Sequence, residues 1–254
     1  MKLRILGCGT SSGVPRIGND WGACDPNDRR NRRSRASIAV ETDAVRILVD
    51  TSPDMRQQLL DADIGSIDAV LWTHDHADHC HGIDDIRQLF HVRGTPVPGY
   101  GFAQTMAQLR ERFAYAFFGR DGYPPTIEGH DLPDDLTLGD VRIRHVAQPH
   151  GDIFSAGYRF DRGGKSIGYS TDFHAVTHEM LELFAGVGIW VIDALRARPH
   201  PTHAHLQLSL DAIAQAKPGR AILTHMDQSM DFATLAPTLP SGVEPGYDGQ
   251  EIAL

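Results

Sequence analysis

The sequence is poor in the features that mark secreted and membrane-spanning proteins. It has only three cysteines in 254 residues, and Cys8, Cys24 and Cys80 form no C-x-x-C pair. This spacing argues against a disulfide framework and against a zinc site built of cysteines alone. No apolar run approaches the roughly 18 residues of a membrane span. The first apolar patch is broken at Gly7, too soon for a signal peptide, so we expect a cytoplasmic protein.

Positive charge is also in short supply. The formal net charge is −9 at pH 7, which disfavours a long nucleic acid as the main partner. One local exception, RRNRRSR at residues 29–35, carries five arginines. This run could hold a phosphate, but such runs more often form solvated surface loops.

No repeat, low-complexity tract or long linker divides the chain, so we predict a single domain over residues 1–254. Short β-branched or alternating runs predict strands, and apolar residues at helical spacing predict helices. The predicted strands are Leu3–Leu6, Ser37–Glu41, Arg46–Val49, Ala69–Trp72, Val141–Val146, Ala156–Phe160, Ser166–Tyr169, Ile189–Ile192 and Ala221–Leu223, and the predicted helices are Pro53–Ala62, Ile83–Phe90, Phe102–Ala116, Met180–Phe184 and Leu208–Ala216. Strands grouped like hairpins with helices between them predict an α/β fold of two packed mixed sheets with outer helices.

Histidine is the residue in excess, with fourteen copies spread unevenly. The segment LWTHDHADHCHG contains H-x-H-x-D-H as His74, His76, Asp78 and His79, directly after a predicted strand. Alternate residues face the same way, so His74 and His76 can share one cation while Asp78 and His79 turn towards a second. Imidazole and carboxylate ligands suit Zn²⁺, Mn²⁺ or Fe²⁺. Two metals sharing a water fit this set better than one metal, and a histidine-rich surface loop is the plainer alternative.

This motif, followed by a later His, a later Asp and a last His, resembles the metallo-β-lactamase superfamily. Within it the chain looks like the phosphoribosyl cyclic phosphodiesterases and their tRNase Z relatives, on the opening GCGTSSGVP and the closing LPSGVEPGYDGQEI. The resemblance covers nearly the whole chain. It implies an αββα sandwich of two mixed sheets with helices on both outer faces, and two divalent metal ions.

The resemblance also implies which residues form the site. His74, His76 and His150 would hold one metal, Asp78, His79 and His225 would hold the other, and Asp172 would bridge both. The last three outlying residues also have plainer roles, namely a turn histidine at His150, a helix N-cap at Asp172 and a strand-end histidine at His225.

A departing ribose oxygen needs a proton, so a general acid with a pKa near neutrality is expected. In the phosphodiesterases a histidine before a helix has this role, and it matches His203, with His205 as second choice and a helix cap as the plain alternative. Asp193 could accept a hydrogen bond from a ligand histidine or cap a helix.

The opening G-x-G-T-S-S-G is not a P-loop, because it lacks GK[ST] and Pro15 follows. Its residues 10–12 could lie near a substrate phosphate, although a tight turn explains its glycines better.

One departure from the family concerns a structural zinc. The phosphonate-pathway member holds such a zinc with clustered cysteines and a histidine after the last metal ligand. Here only Cys24 lies in the corresponding segment, and Gln228 stands where that histidine would be. We therefore predict no structural zinc.

The leading functional hypothesis is a metal-dependent hydrolase that cleaves a small phosphodiester, either a cyclic ribose phosphate or a nucleotide-like ester. A dimetal-bound hydroxide would attack phosphorus, with Asp78 and His203 as catalytic residues. The enzymatic alternatives are a tRNase Z-like nuclease, for which no basic arm is visible, and a glyoxalase II-like thioesterase, which shares the metal ligands. The non-enzymatic alternative is a nucleotide-binding or cofactor-biosynthesis accessory protein. We expect a small phosphate ester as substrate, no membrane partner, and a homodimer.

Overall fold

Two seven-stranded sheets form the framework of the protein in the computed structural model, which describes all 254 residues. The first sheet consists of β1 (Lys2–Gly7), β2 (Ser37–Glu41), β3 (Arg46–Val49), β4 (Ala69–Leu71), β5 (Val97–Gly101), β6 (Ile127–Asp131) and β14 (Glu251–Ala253). The second consists of β7 (Leu136–Leu138), β8 (Val141–His150), β9 (Ile153–Arg162), β10 (Lys165–Ser170), β11 (Ile189–Asp193), β12 (Arg220–Thr224) and β13 (Val243–Pro245). The strand orders are β14-β1-β2-β3-β4-β5-β6 and β13-β12-β11-β10-β9-β8-β7.

Each sheet is antiparallel in one half and parallel in the other. Strands β3 to β6 are parallel in the first sheet, and β10 to β13 are parallel in the second. Parallel strands bring their carboxyl ends to the same edge of a sheet, where ligand sites of α/β proteins commonly form. The acidic and histidine residues that follow β3, β4, β10, β11 and β12 are therefore directed to sheet edges.

Helices cover both outer faces of the sandwich. They are α1 (Met55–Asp61), α2 (Ala77–Cys80), α3 (Ile86–Arg93), α4 (Ala103–Arg112), α5 (Ala114–Phe118), α6 (His178–Phe184), α7 (Leu206–Ala216) and α8 (Phe232–Leu235). On the first sheet, Met106 of α4 and Leu89 of α3 share a buried cluster with Trp72. On the second, the rings of Phe184 and Trp190 stack at 4.8 Å. These layers confirm the predicted αββα sandwich. None of the helices combines the length and the apolar character needed to cross a membrane.

The nine predicted strands are all present, but some details of the prediction are wrong. The predicted helix over residues 102–116 is broken at Phe113, which has φ −118° and ψ 36°, so α4 and α5 are separate. Helix α1 begins at Met55, so Pro53 precedes it instead of lying in its first turn. Five short strands, β5, β6, β7, β13 and β14, were not predicted. In β5 the misleading signal is Gly99, where a Cβ atom would lie 2.4 Å from the ring of Trp72.

Candidate metal centre

The seven predicted metal ligands lie together at one end of the sandwich. His74 and His76 follow β4, Asp78 and His79 lie in α2, His150 ends β8, Asp172 follows β10, and His225 follows β12. The ligand atoms of His74, His76 and His150 lie within 4.8 Å of one another, and those of Asp78, His79 and His225 do the same. These two groups of three are among the clusters of possible metal ligands, and a further cluster, His74, His79 and Asp172, connects them.

Asp172 stands between the two groups. Its Oδ1 atom is 3.6 Å from His150 Nε2 in the first group. Its Oδ2 atom is 3.2 Å from His79 Nε2 and 3.6 Å from His225 Nε2 in the second. One carboxylate oxygen per group is the arrangement expected of a residue that bridges two cations.

Hydrogen bonds on the far side of the rings fix the direction of three histidines. His150 Nδ1 donates to the carbonyl oxygen of Thr202 at 2.8 Å, and His79 Nδ1 donates to Asp50 Oδ2 at 2.7 Å. His74 Nδ1 lies 3.0 Å from Thr73 Oγ1. In each ring the Nδ1 contact leaves the Nε2 lone pair directed at the cluster, as in metal-binding histidines.

Two of these Nε2 atoms, those of His74 and His79, are buried and have no hydrogen-bond partner. His79 Nε2 is close to two carboxylates, at 3.2 and 3.3 Å, but without hydrogen-bond geometry. Buried polar atoms are rarely left without a partner in native proteins. Unpartnered nitrogen lone pairs beside carboxylate oxygens form a donor set that fits a divalent cation.

The electrostatics differ between the two groups. Burial lowers the pKa of His74 well below its usual value, and burial also lowers the pKa of His150. Burial opposes protonation of His79 and His225 as well, but neighbouring carboxylates outweigh it. Asp172 and Asp78 help to raise the pKa of His79 well above its usual value and that of His225 to about 9. His74 and His150 are thus neutral and ready to donate lone pairs, whereas His79 and His225 hold protons that a cation must displace.

Three residues at the ends of parallel strands adopt the left-handed backbone conformation. They are Asp50 with φ 64°, Asp172 with φ 57° and His225 with φ 58°. Aspartate tolerates this region better than most residues, but outliers of this kind cluster at functional sites. In each case the left-handed residue itself follows the strand, and its own side chain reaches the cluster.

His203 borders the cluster just before α7. Its Nδ1 atom is 3.4 Å from both Asp172 Oδ1 and Asp193 Oδ2, and its ring stacks on that of His225 at 4.8 Å. Asp193 also accepts a hydrogen bond from the backbone N–H of Asp172 at 3.1 Å. It is neither a helix cap nor the acceptor for a ligand histidine, but it orients His203 and Asp172. The second choice, His205, occupies the N-cap position of α7.

The plainer role of Asp172 as a helix cap is wrong, because Thr177 caps α6. The sequence reasoning missed Asp50, which is fully buried and also accepts hydrogen bonds from the backbone and hydroxyl of Thr73. The signal was available, since Asp50 directly follows a predicted strand just as Asp172 does. The Thr202 carbonyl could not be found this way, because a backbone acceptor leaves no trace in residue type.

The arginine run at residues 29–35 contains a buried arginine, which neither sequence interpretation predicted. Arg33 is 1% exposed. Its Nη2 donates to the Met230 carbonyl at 2.6 Å and to Asn31 Oδ1 at 3.3 Å, and its Nη1 donates to the Asp227 carbonyl at 3.3 Å and faces Cys24 Sγ at 3.8 Å. We call this group the Arg33 clamp. It surrounds Cys24, and no group of possible metal ligands includes this cysteine.

The opening glycine-rich loop forms a tight turn beside the last histidine. Gly13 N–H donates to the Thr10 carbonyl at 2.8 Å, and Thr10 N–H donates to the Met226 carbonyl at 3.2 Å. Surface cavities of about 480, 470 and 510 Å³ lie elsewhere, and none of the seven predicted ligands lines any of them.

This fold and donor set fit a metal-binding protein, and comparison with known proteins identifies the family. A family model described as the beta-lactamase superfamily domain matches residues 45–226, and the chain belongs to this superfamily. The crystal structure of a new diphosphatase from the PhnP family is similar, with a TM-score of 0.90, 35% identity, and coverage of 99% of this chain and 96% of that one. These findings confirm the predicted superfamily and fold.

Two further proteins are similar to the chain. Zn²⁺-bound PqqB from Methylobacterium extorquens covers it fully, at 19% identity and a TM-score of 0.82, which shows the shared fold. An octanoyltransferase from Porphyromonas gingivalis is 33% identical over 99% of the chain. The chain spans only 51% of the length of that relative.

Proposed function

We propose that the chain hydrolyses a small phosphodiester, a cyclic ribose phosphate or a nucleotide-like ester, with two divalent cations. The observation that carries this proposal is the position of Asp172, with one oxygen towards each group of three ligands. His74, His76 and His150 would hold one cation, Asp78, His79 and His225 the other, and Asp172 both. Zn²⁺, Mn²⁺ and Fe²⁺ all suit this mixed nitrogen and oxygen set. When bound, the two cations would supply an activated water and neutralise charge on the phosphoryl oxygens.

The residues of the chain supply the remaining chemistry. Asp78 Oδ2 is hydrogen-bonded to His225 Nε2 at 3.4 Å and lies 3.3 Å from His79 Nε2, so it orients the His225 ring and lies beside that of His79. His203 has Nδ1 directed at Asp193 and Asp172, which leaves Nε2 to hold a proton for the departing oxygen. General acids of this kind contribute about 10²- to 10⁴-fold to rate.

The first experiment measures turnover of bis-p-nitrophenyl phosphate and of an acyl thioester, each with Mn²⁺ or Zn²⁺. We expect phosphodiester cleavage. A thioesterase is the second candidate, and the octanoyltransferase relative favours it, although the activity of that protein can reside in the half that this chain does not span. Cleavage of the thioester alone would reverse the ranking, and failure to cleave either would favour a binding or accessory protein.

The second experiment tests His203. His203→Ala should lose about 10²-fold or more on an alkyl leaving group and far less on p-nitrophenolate, which leaves without a proton. The matched control is His205→Ala, two residues away at the N-cap of α7, which should be nearly unchanged on both. Equal losses on both leaving groups would remove His203 as the acid.

The substrate should be small, because the acidic net charge of −9 repels a long polyanion. The expected homodimer stays a prediction, and sedimentation equilibrium of the purified chain tests it.

A further inference from the structure

One large aromatic side chain stands out at the end of the sandwich that holds the cluster. Phe154, the second residue of β9, is 57% exposed, and only three other aromatic side chains of the chain, Tyr115, Phe118 and Tyr123, are also exposed. An exposed phenylalanine leaves apolar surface in water at a cost of about 25 cal/mol per Å². The exposure of this apolar ring at the end of the sandwich with the candidate metal centre therefore needs a physical explanation.

The face of β9 that carries Phe154 follows from its neighbours. Gly157 faces the outer helices, since a Cβ atom there would lie 3.1 Å from the ring of Phe184 in α6, and Ser155 shares this face. Tyr158 points the other way, because its hydroxyl donates to the Trp72 carbonyl of the first sheet at 2.7 Å. Side chains alternate along a strand, so Phe154 shares the face of Tyr158. Its ring is directed towards the first sheet.

The position of Phe154 along the strand places it at the mouth of the site. It pairs with Pro149, the residue before the predicted ligand His150. The N–H of Ala156 donates to the carbonyl of Thr73 at 2.8 Å, so β9 runs alongside the residue before His74. Phe154 lies two residues, about 7 Å, further along β9. It therefore flanks the loop of His76, whose own side chain is exposed and whose Nδ1 is 3.2 Å from His150 Nε2.

We infer that Phe154 is a specificity-determining residue that stacks on a planar aromatic group of the substrate, such as a nucleobase. This inference rests on the proposed phosphodiesterase function. The cluster supplies only polar and charged groups, which suit the phosphate and have no use for an apolar ring. Stacking needs one exposed ring face, whereas an alkyl chain needs an apolar channel. The residues opposite and beside Phe154, Pro149 and Ala147, are small, so they form no such channel.

The test compares two substrates that differ only in the aromatic group. They are adenosine 2′,3′-cyclic phosphate and the ribose 2′,3′-cyclic phosphate that lacks the base. Base stacking on an aromatic side chain corresponds to about a 5- to 150-fold effect. Phe154→Ala should lower kcat/KM for the nucleotide by this factor and leave the base-free ester within about twofold. Phe154→Trp should retain activity on the nucleotide. The matched control is Phe118→Ala, since Phe118 is 69% exposed at the end of α5, and it should change neither substrate.

Equal losses on the two substrates, or no loss on the nucleotide, would overturn the inference. If the wild-type protein hydrolyses neither ester, binding decides the role of Phe154, and the proposed function fails as well only if bis-p-nitrophenyl phosphate is also left intact. In that case calorimetry with the metal-loaded protein compares adenosine monophosphate and ribose 5-phosphate. Selective weakening of the nucleotide by Phe154→Ala would support stacking, and equal binding by both proteins would contradict it.

Discussion

Two buried polar clusters lie close together in this protein and differ in how their hydrogen bonds are satisfied. In the metal centre, Nε2 of His74 and of His79 are buried without a hydrogen-bond partner. In the Arg33 clamp, the guanidinium makes four contacts with oxygen and sulfur acceptors, and only its Nε lacks one. The clamp contains its own cation, whereas the metal centre has lone pairs and carboxylates that need one. Buried ring nitrogens left without a partner beside carboxylates therefore indicate a ligand, and a buried cation contacted by several acceptors of its own chain indicates a structural role.

The largest expected effect comes from Asp172, the residue shared by both ligand groups. Asp172→Asn keeps a side chain that tolerates the observed φ of 57° but removes the bridging charge. Phosphodiester turnover should fall by more than the roughly 100-fold seen for partners of metal ligands, because a ligand itself is lost. The measurement is kcat/KM with metal content. Asp63→Asn is the control, since Asp63 is exposed and also left-handed at φ 52°. Full activity in Asp172→Asn would show that Asp172 is not a ligand shared by the two groups.

The clamp should show the opposite behaviour, a loss of stability without a loss of metal. Arg33→Met leaves the buried carbonyls of Asp227 and Met230 without a donor, which should lower the free energy of unfolding by about 3 kcal/mol. Urea denaturation measures this change. Arg32→Met is the neighbouring control, because Arg32 is exposed over the ring of Trp21, and it should cost about 1 kcal/mol or less. If the folded Arg33 variant loses its metals, the two clusters are not independent.

Asp50 tests whether a residue that only orients a ligand histidine matters less than a ligand itself. Asp50→Asn should keep the backbone at φ 64° but weaken the hydrogen bond that orients His79. Metal affinity should fall about 10- to 100-fold, as expected for a partner behind a ligand histidine. Competition with a chromophoric chelator measures it. An affinity equal to that of the wild-type protein would remove Asp50 from the site.

The smallest expected effect is the release of protons on metal binding. The pKa of His225 is about 9 in the metal-free protein, above the value of 6.5 for a free histidine. Near pH 7.5 a bound cation should therefore displace about one proton from His225. Apparent metal affinity should rise with pH until about pH 9. Calorimetry in buffers of different ionisation enthalpy measures the released protons, and a value of zero would contradict this charge assignment.

The same shift has a consequence for the stability of the metal-free protein. A raised folded pKa contributes stability that is fully present below the unfolded pKa and is lost as pH rises through the folded pKa. The contribution of His225 should therefore be complete below about pH 6.5 and disappear by about pH 9. His225→Gln should flatten this part of the pH profile of unfolding.

Much of the site was predictable because its residues carry a local signal. His74 to His79 form a dense motif after an apolar strand, and Asp172 and His225 each follow one. The strands with alternating apolar residues were found for the same reason. What could not be predicted depends on tertiary contacts. Gly99 looks like a breaker until Trp72 is seen against it, and Arg33 looks like a surface residue until its acceptors from residues 227 and 230 are in place.

Metal analysis of the purified, unchelated protein tests the central claim most directly. The arrangement of two ligand groups around Asp172 predicts about two divalent ions per chain by inductively coupled plasma mass spectrometry. Asp172→Asn should reduce that number clearly, and Arg33→Met should not. A wild-type content far below one ion per chain would contradict the account, whatever the fate of the fold.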